Sequence, residues 1–538
     1  MVLTLILVTR AASQIRSTYR GSNPDSNTRA ISRLPHWVPY FGNTPIFFLR
    51  SQSWLLGESR ACQSGIFALH LSSRDYLVVT SPDLQARLTD PATPVTTNQH
   101  DELRSRRFFG NRQVTGIATK RISKAVLAYT TDESRIIKLT RLLESQAYNF
   151  ISPSESWVDQ AQWERTADVT VISGKPTLSV SASLPTLIRD FSSYVMVSTI
   201  LGTSFVDTNP GFIGDFFIFS YKYATFMTGL PYWVAPGLGP PALARERCLL
   251  ILDGLVDAII ADLDGKSMQG MGTGMLYDLE DVHPAIWDLI RQARSEGAKE
   301  NIRTISSELL EIIWHMTFSS ANMVIWLVLY LSMDGDSNKM ALQSINEELK
   351  SVVKVVKPEP TGLPIEDAPR LQFSAAVSGK LNNCLTLRAA LLEIQRLETE
   401  AEEYLTVTDD FILQSDETGS GSEKFQLKTG DHIYAAYGAT NKDTKFWDRP
   451  KRFAPSRYIL KEDDDKKETV NNKLPKTRGE HHSVLRVDVL CIVAALLAFY
   501  EIGSLDDGGL KHPSSKIVAG VGVPKEFKCK ISRRLVAR

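Results

Sequence analysis

Glu393-Ile394-Gln395-Arg396 lies inside Leu385 to Glu403, a stretch that reads as helix, and Arg452-Phe453-Ala454-Pro455-Ser456-Arg457-Tyr458 follows downstream. On a helix the i,i+3 spacing puts Glu393 and Arg396 on one face, close enough to pair. Alone the pair decides little, because such pairs are common on solvated helix faces. The order of three features carries more. An E-x-x-R pair comes first, then a β-rich stretch with Lys428-Thr429-Gly430-Asp431. After Phe446-Trp447-Asp448 comes F-x-P-x-R-[FY] at Phe453 to Tyr458.

Outward from this stretch the chain reads as mostly helix with a small β-region. Ile312 to Met333 holds no formally charged residue and is long enough to span a bilayer. It carries His315, Thr317, Ser319, Ser320 and Asn322, which lipid penalises, so a helix buried in protein is expected. Val489 to Tyr500 is too short to span and reads as a core helix. Ser183 to Asp264 is mostly helical, with aromatics clustered between Phe216 and Phe226 and a rigid Pro/Gly loop at Gly229 to Pro241. Asn338 to Val356 reads as a polar helix. Gly65 to Pro82 has two β-rich runs around a polar turn at Ser72 to Asp75, a hairpin signal. Tyr404 to Tyr437 has short β-rich runs, and the C-terminus ends in a strand-like tail. Helices and strands do not alternate strictly, which disfavours a βαβ doubly wound fold.

The chain has 538 residues, 43% hydrophobic and 23% charged, which excludes disorder as its main state. Lys+Arg and Asp+Glu are each 61, so a generally basic nucleic-acid binder is excluded. The five cysteines, Cys62, Cys248, Cys384, Cys491 and Cys529, form neither a CxxC nor a zinc spacing, and no N-x-[ST] acceptor occurs. A reducing, cytosol-facing environment is expected. Met1 to Val8 is apolar but far short of the roughly 20 residues a spanning helix needs. It resembles the tail of a membrane anchor, so residues 1–33 read as a truncated anchor and linker, and 34–538 as one catalytic domain.

From Pro35 to Arg534 the chain resembles the haem-thiolate monooxygenases, the cytochrome P-450 superfamily. Leu34 to Asn43 is similar to the proline-rich lead-in that follows the family's membrane anchor. Leu184 to Phe205 and the Gly229–Pro240 loop are similar to the fungal branch related to sterol 7α-hydroxylases and prostacyclin synthase. The resemblance implies a mainly helical P-450 fold. It also implies a buried charged triad of Glu393, Arg396 and Arg457 on the haem side. The long helix around Trp314 to Trp326 would lie over the haem. The family's acid–alcohol pair is absent there, and Ser319, Ser320 and Asn322 are the polar groups available for proton delivery. The bland reading is that they bond the preceding helical turn.

The family's iron ligand is a cysteine in a glycine-rich loop before the core helix, where a thiolate favours O–O cleavage. Here Leu474 to Asp488 supplies no thiol. Matching Gly479 and Ser483 to the loop puts Leu485 at the cysteine position; matching backward from Tyr500 puts Gly479 there. Cys491 lies within the apolar helix, and His481 or His482 would not reproduce thiolate chemistry. Arg104, Arg106, Arg107 and Arg112 offer a partner for haem propionates, without the sequence choosing among them. A large apolar pocket lined by Trp314, Met316, Phe318 and Met323 is expected. Two functions remain open. One is oxidation of a terpenoid, steroid or polyketide by a haem protein served by an electron-donating reductase on the endoplasmic reticulum membrane. The other is a haem-free relative that isomerises, cyclises or only binds a lipophilic small molecule.

Overall fold

The computed structural model describes residues 2–15, 18–20, 28–36, 38, 42–49, 52–71, 74–114, 116–174, 177–230, 237–265, 277–296, 301–357, 368–415, 423–461, 468–470, 486–506 and 508–534. About 54% of the chain is helical, with several small sheets. The molecule is organised around one helix, Ile302–Ser332. Asn301 caps it, its side chain accepting from the Arg303 N–H at 3.3 Å. Helices Leu184–Leu201, Gly239–Leu263, Leu385–Glu398 and Arg486–Phe499 pack around it. A helix apolar on all sides is either enclosed by protein or by lipid. By length and composition this one suffices to cross a membrane, and 83% of its most apolar window is buried inside the molecule.

The helix starts ten residues before the uncharged run that marked it in the sequence. The added turns carry Glu308 and Glu311, both fully buried. Arginines from elsewhere in the chain neutralise them, a solution no local pattern reveals. Arg121 donates to the two Glu308 oxygens at 2.9 and 2.6 Å, and Arg104 meets Glu311. The polar helix expected to reach Val356 ends earlier, as Asp336–Leu349. The β-branched run Val353–Val356 is instead a strand paired antiparallel with Arg370–Phe373.

A seven-stranded sheet forms the other layer. Its order is Thr18–Arg20, Ile31–Arg33, Ile66–Leu71, Arg74–Val79, His432–Ala435, Glu403–Val407, Val95–Thr96. The expected hairpin is its centre, with Ile66 opposite Val79 and Leu71 opposite Arg74. Period-two alternation sends Ile66, Ala68, Leu77 and Val79 into one apolar cluster and Phe67, Leu69 and Val78 into another, so the sheet is covered on both faces. The sheet takes in Thr18–Arg20 and Ile31–Arg33, residues that the sequence set apart as linker. The reason is burial: Ile31 is fully enclosed against the first cluster. A four-stranded sheet joins Tyr500–Gly503, Lys528–Arg533, Ser179–Ser183 and Thr170–Val171.

Three close approaches fix the short segment 399–402 between the Leu385–Glu398 helix and the Glu403–Val407 strand. Gly438 lies so near that a Cβ there would stand 2.6 Å from the Glu400 Cα, and its N–H donates to Ala401 O at 2.9 Å. The Glu400 N–H donates to Gly520 O at 2.8 Å. Gly520 tips a hairpin of Ser515–Val518 and Val521–Pro524, with Ala519 and Gly520 both at positive φ, 49° and 77°. Trp326 of the central helix ties that hairpin down, its Nε1–H donating to Gly522 O at 2.7 Å.

Candidate functional site

The Leu385–Glu398 helix buries Glu393 and Arg396 completely. The guanidinium meets the carboxylate side-on, Nε to Oε2 at 2.8 Å and Nη2 to Oε1 at 2.9 Å. The remaining Arg396 nitrogen donates to Asn441 O at 2.5 Å, and the Trp447 ring lies 5.0 Å from the guanidinium carbon. Arg457, its side chain 15% exposed, donates from Nε to Glu393 Oε1 at 3.1 Å. Its other nitrogens donate to the carbonyls of Asp448, Arg449 and Arg452. The Ala454 N–H also donates to Glu393 Oε1, at 3.0 Å. One carboxylate thus serves two arginines, and backbone carbonyls take the rest of their donors, as a buried charge cluster requires.

A cleft of about 770 Å³ opens beneath the first half of the central helix. Helices Asn98–Arg107 and Gly116–Thr131, the 402–404 segment and the 519–521 hairpin tip complete its walls. Glu311, Trp314, His315 and Phe318 reach it from the central helix. They are spaced i, i+3, i+4 and i+7, one stripe of a helix surface. Trp314 stacks between Phe318 (centroids 5.4 Å apart) and Tyr223 (5.8 Å), with Phe108 and Phe109 edge-on.

Arg104 closes one end. Its Nε and Nη2 donate to Glu311 Oε1 at 3.1 and 3.0 Å, and its Nη1 lies 2.9 Å from Asp101. Ser105 donates to the other Glu311 oxygen, and His315 Nε2 stands 3.3 Å from Arg104 Nη2. Burial pushes the Glu311 carboxyl up, but the Arg104 charge and the His315 and Ser105 bonds outweigh it and hold it below the usual value. His100 stacks on Tyr404 at 4.2 Å, nearly parallel, and burial lowers its pKa to about 4.

Glu402 stands on the opposite wall. Tyr434 donates to its Oε2 at 2.5 Å, and Gln52 donates in turn to the Tyr434 hydroxyl at 3.2 Å. Burial raises the Glu402 pKa to about 7, Tyr434 opposing and the nearby Glu400 charge adding to the rise. The cleft therefore holds one ionised carboxylate braced by arginine and one carboxyl poised near neutrality.

Of the three residues expected to deliver protons, Ser319 lines the cleft and Ser320 and Asn322 do not. Ser320 lies about half a helical revolution from Glu311 at ~100° per residue. Asn322 is fully buried further along, its Nδ2 donating to Phe318 O at 2.8 Å. The pocket is not the apolar one expected: Trp314 and Phe318 line it, Met316 and Met323 do not, and charged groups share its wall. Among the four arginines, Arg104 lines it. Leu485, Gly479, His481 and His482 lie outside the described residues. Cys491 is fully buried in Arg486–Phe499, where burial and the Asp488 charge push its thiol far up.

Glu311 and Glu402 were not singled out in the sequence, and Arg104 was named there only as one of four arginines. The 311/314/315/318 stripe was a usable signal for the first; Glu402, in an acid-rich run after a helix, reads as solvated surface. No protein-family model matches the chain, and no curated protein matches it.

Two outcomes are expected. Glu393→Gln should destabilise the fold by roughly 3–5 kcal/mol in urea unfolding, because the buried Arg396 and the largely enclosed Arg457 lose their carboxylate; an unchanged transition would place the cluster at the surface. Burying neutral His100 makes the unfolded state the stronger proton binder between its folded value of about 4 and the ordinary 6.5. Stability is therefore lost as pH falls through that window. Glu402 titrates in the opposite sense, so the comparison is with His100→Gln. Wild type should lose stability relative to this variant on acidification, and parallel curves would contradict it.

Proposed function

We propose that the chain has a P-450-type fold and that its cleft takes a lipophilic metabolite of the terpenoid, steroid or polyketide kind. In the present sequence it acts by orientation and proton transfer, or by binding alone, and not through a thiolate-bound iron. Supporting the fold are the buried Glu393–Arg396–Arg457 cluster, at the positions where the two motifs place it, and the long helix above a cleft.

The observation that carries the functional reading is the donor set of that cleft. Among the described residues it offers carboxyls, imidazoles and aromatic rings, and no sulfur. A haem thiolate requires a cysteine that reaches the iron. None of the five cysteines lines the cleft, and residues 471–485 include none. Cys491 is a buried thiol whose surroundings oppose ionisation. Arg104 is held between Asp101 and Glu311, which opposes its use as a propionate partner. A thiolate-ligated haem does not fit the residues present.

These residues support other chemistry. The Tyr223–Trp314–Phe318 stack gives an apolar ligand a wall and keeps water from it. Holding a flexible ligand in one reactive geometry accelerates isomerisation or cyclisation. Glu402, with a pKa of about 7, is matched to giving or taking a proton near neutral pH. The oxygenase reading, with a reductase partner and a seat on the endoplasmic reticulum membrane, rests on the charged cluster and needs a cysteine in the Ser483–Asp488 stretch.

The test is spectroscopic. Protein of this sequence, expressed with haem supplied, reduced and exposed to carbon monoxide, should show no thiolate–haem absorption band. A stoichiometric band would overturn the reading.

A further inference from the structure

The cleft is richer in acids than in bases. Asp101, Glu311, Glu402 and Glu403 line it, against Arg104 and Lys124. Arg104 is divided between Asp101 and Glu311. Lys124 is exposed at the rim, its Nζ 3.4 Å from Gln292 Oε1. Glu403 accepts from the Tyr437 hydroxyl at 3.0 Å.

Glu402 differs from Asp101 and Glu311, which share Arg104. Among the described residues, what acts on its carboxyl is burial, the Tyr434 hydroxyl and the neighbouring Glu400, and none of these is positive. Across the cleft stands Tyr223, whose own hydroxyl feels the Glu402 charge. Beside it, Tyr404 presents a ring stacked on neutral His100. Tyrosine and tryptophan faces attract cations through their quadrupoles. A partly buried carboxylate without a counter-ion is costly until a cation arrives. An anionic ligand would meet Glu402 and Glu311 at close range, and a neutral one would leave Glu402 uncompensated.

We infer that the ligand of this cleft is a lipophilic cation: an ammonium centre, protonated or quaternary, on an apolar body. The ammonium sits against Glu402 and the tyrosine faces, and the apolar body lies along Trp314 and Phe318. This rests on the reading of the cleft as a ligand site and narrows the class of ligand. Binding the cation ionises Glu402, so affinity rises with pH across the range in which that carboxyl titrates.

Three probes of equal chain length, kept below their micellar concentrations, test it by calorimetry on the full chain: decyltrimethylammonium, decanol and decanoate. The ammonium should bind at least about tenfold more tightly than decanol, with decanoate weakest. Its affinity should rise between about pH 6 and about pH 8, while that of decanol stays level. Glu402→Gln should remove most of the ammonium preference and the pH dependence. The wild-type series stands without the variant. Decanol or decanoate binding as tightly as the ammonium would overturn the charge assignment and leave the cleft a ligand site. Failure of all three to bind would overturn the ligand-site reading, and this inference with it.

Discussion

Glu393 is a carboxylate out of reach of water, and two guanidiniums converge on it. That one group fixes a large part of the molecule, because neither arginine is tolerable in the interior without it. Arg396 belongs to its own helix, but Arg457 and the Ala454 N–H come from a segment sixty residues on. The shared carboxylate therefore clamps the Leu385–Glu398 helix to the 441–458 region. The end of that helix sets where residues 399–402 begin, and the contacts of Gly438 and Gly520 set where they go. Glu402 reaches the cleft wall as the last link of this chain of constraints.

The central helix solves a related problem at its other end. Its uncharged length is enclosed by helices, yet its first turns carry Glu308 and Glu311 in the interior. Each is met by an arginine from a different helix, Arg121 and Arg104. The first pair is packed away from the cleft lining; the second forms part of it. The same device that lets the helix run on into the protein also places a braced carboxylate beside the Tyr223–Trp314–Phe318 stack. Opposite it, Glu402 has a hydroxyl for support and, among the described residues, no cation. The two walls are thus electrostatically unequal, and that inequality is the basis of the proposed selectivity for charge.

Much of the fold was legible because it is written in short-range patterns. The hairpin of Ile66–Leu71 and Arg74–Val79, the apolar core helix and the Glu393–Arg396 pair all follow from periodicity or spacing. Even Arg457 was found, because its motif is local. What local patterns cannot carry is pairing across long separations. The start of the central helix was misplaced because buried Glu308 and Glu311 look like solvated charges until Arg121 and Arg104 are seen beside them. Strands Thr18–Arg20 and Ile31–Arg33 were taken for linker because three-residue strands have no period to read. The Val353–Val356 strand, only four residues long, was absorbed into the helix before it. In the cleft, Ser319 was named from the sequence and Glu402 was not, since its environment is built from Gln52, Tyr434 and Glu400, distant or adjacent residues with no shared spacing.

Glu402 and the surrounding aromatic rings are proposed to hold the positive end of a lipophilic molecule in a cleft without a thiol among its described residues. A crystal structure of the full chain with decyltrimethylammonium bound tests this most directly. The ammonium nitrogen should lie within about 6 Å of the Tyr404 or Tyr223 ring and beside the Glu402 carboxylate, with the alkyl chain along Trp314 and Phe318. An ammonium seated elsewhere, or a porphyrin filling the cleft, would contradict it.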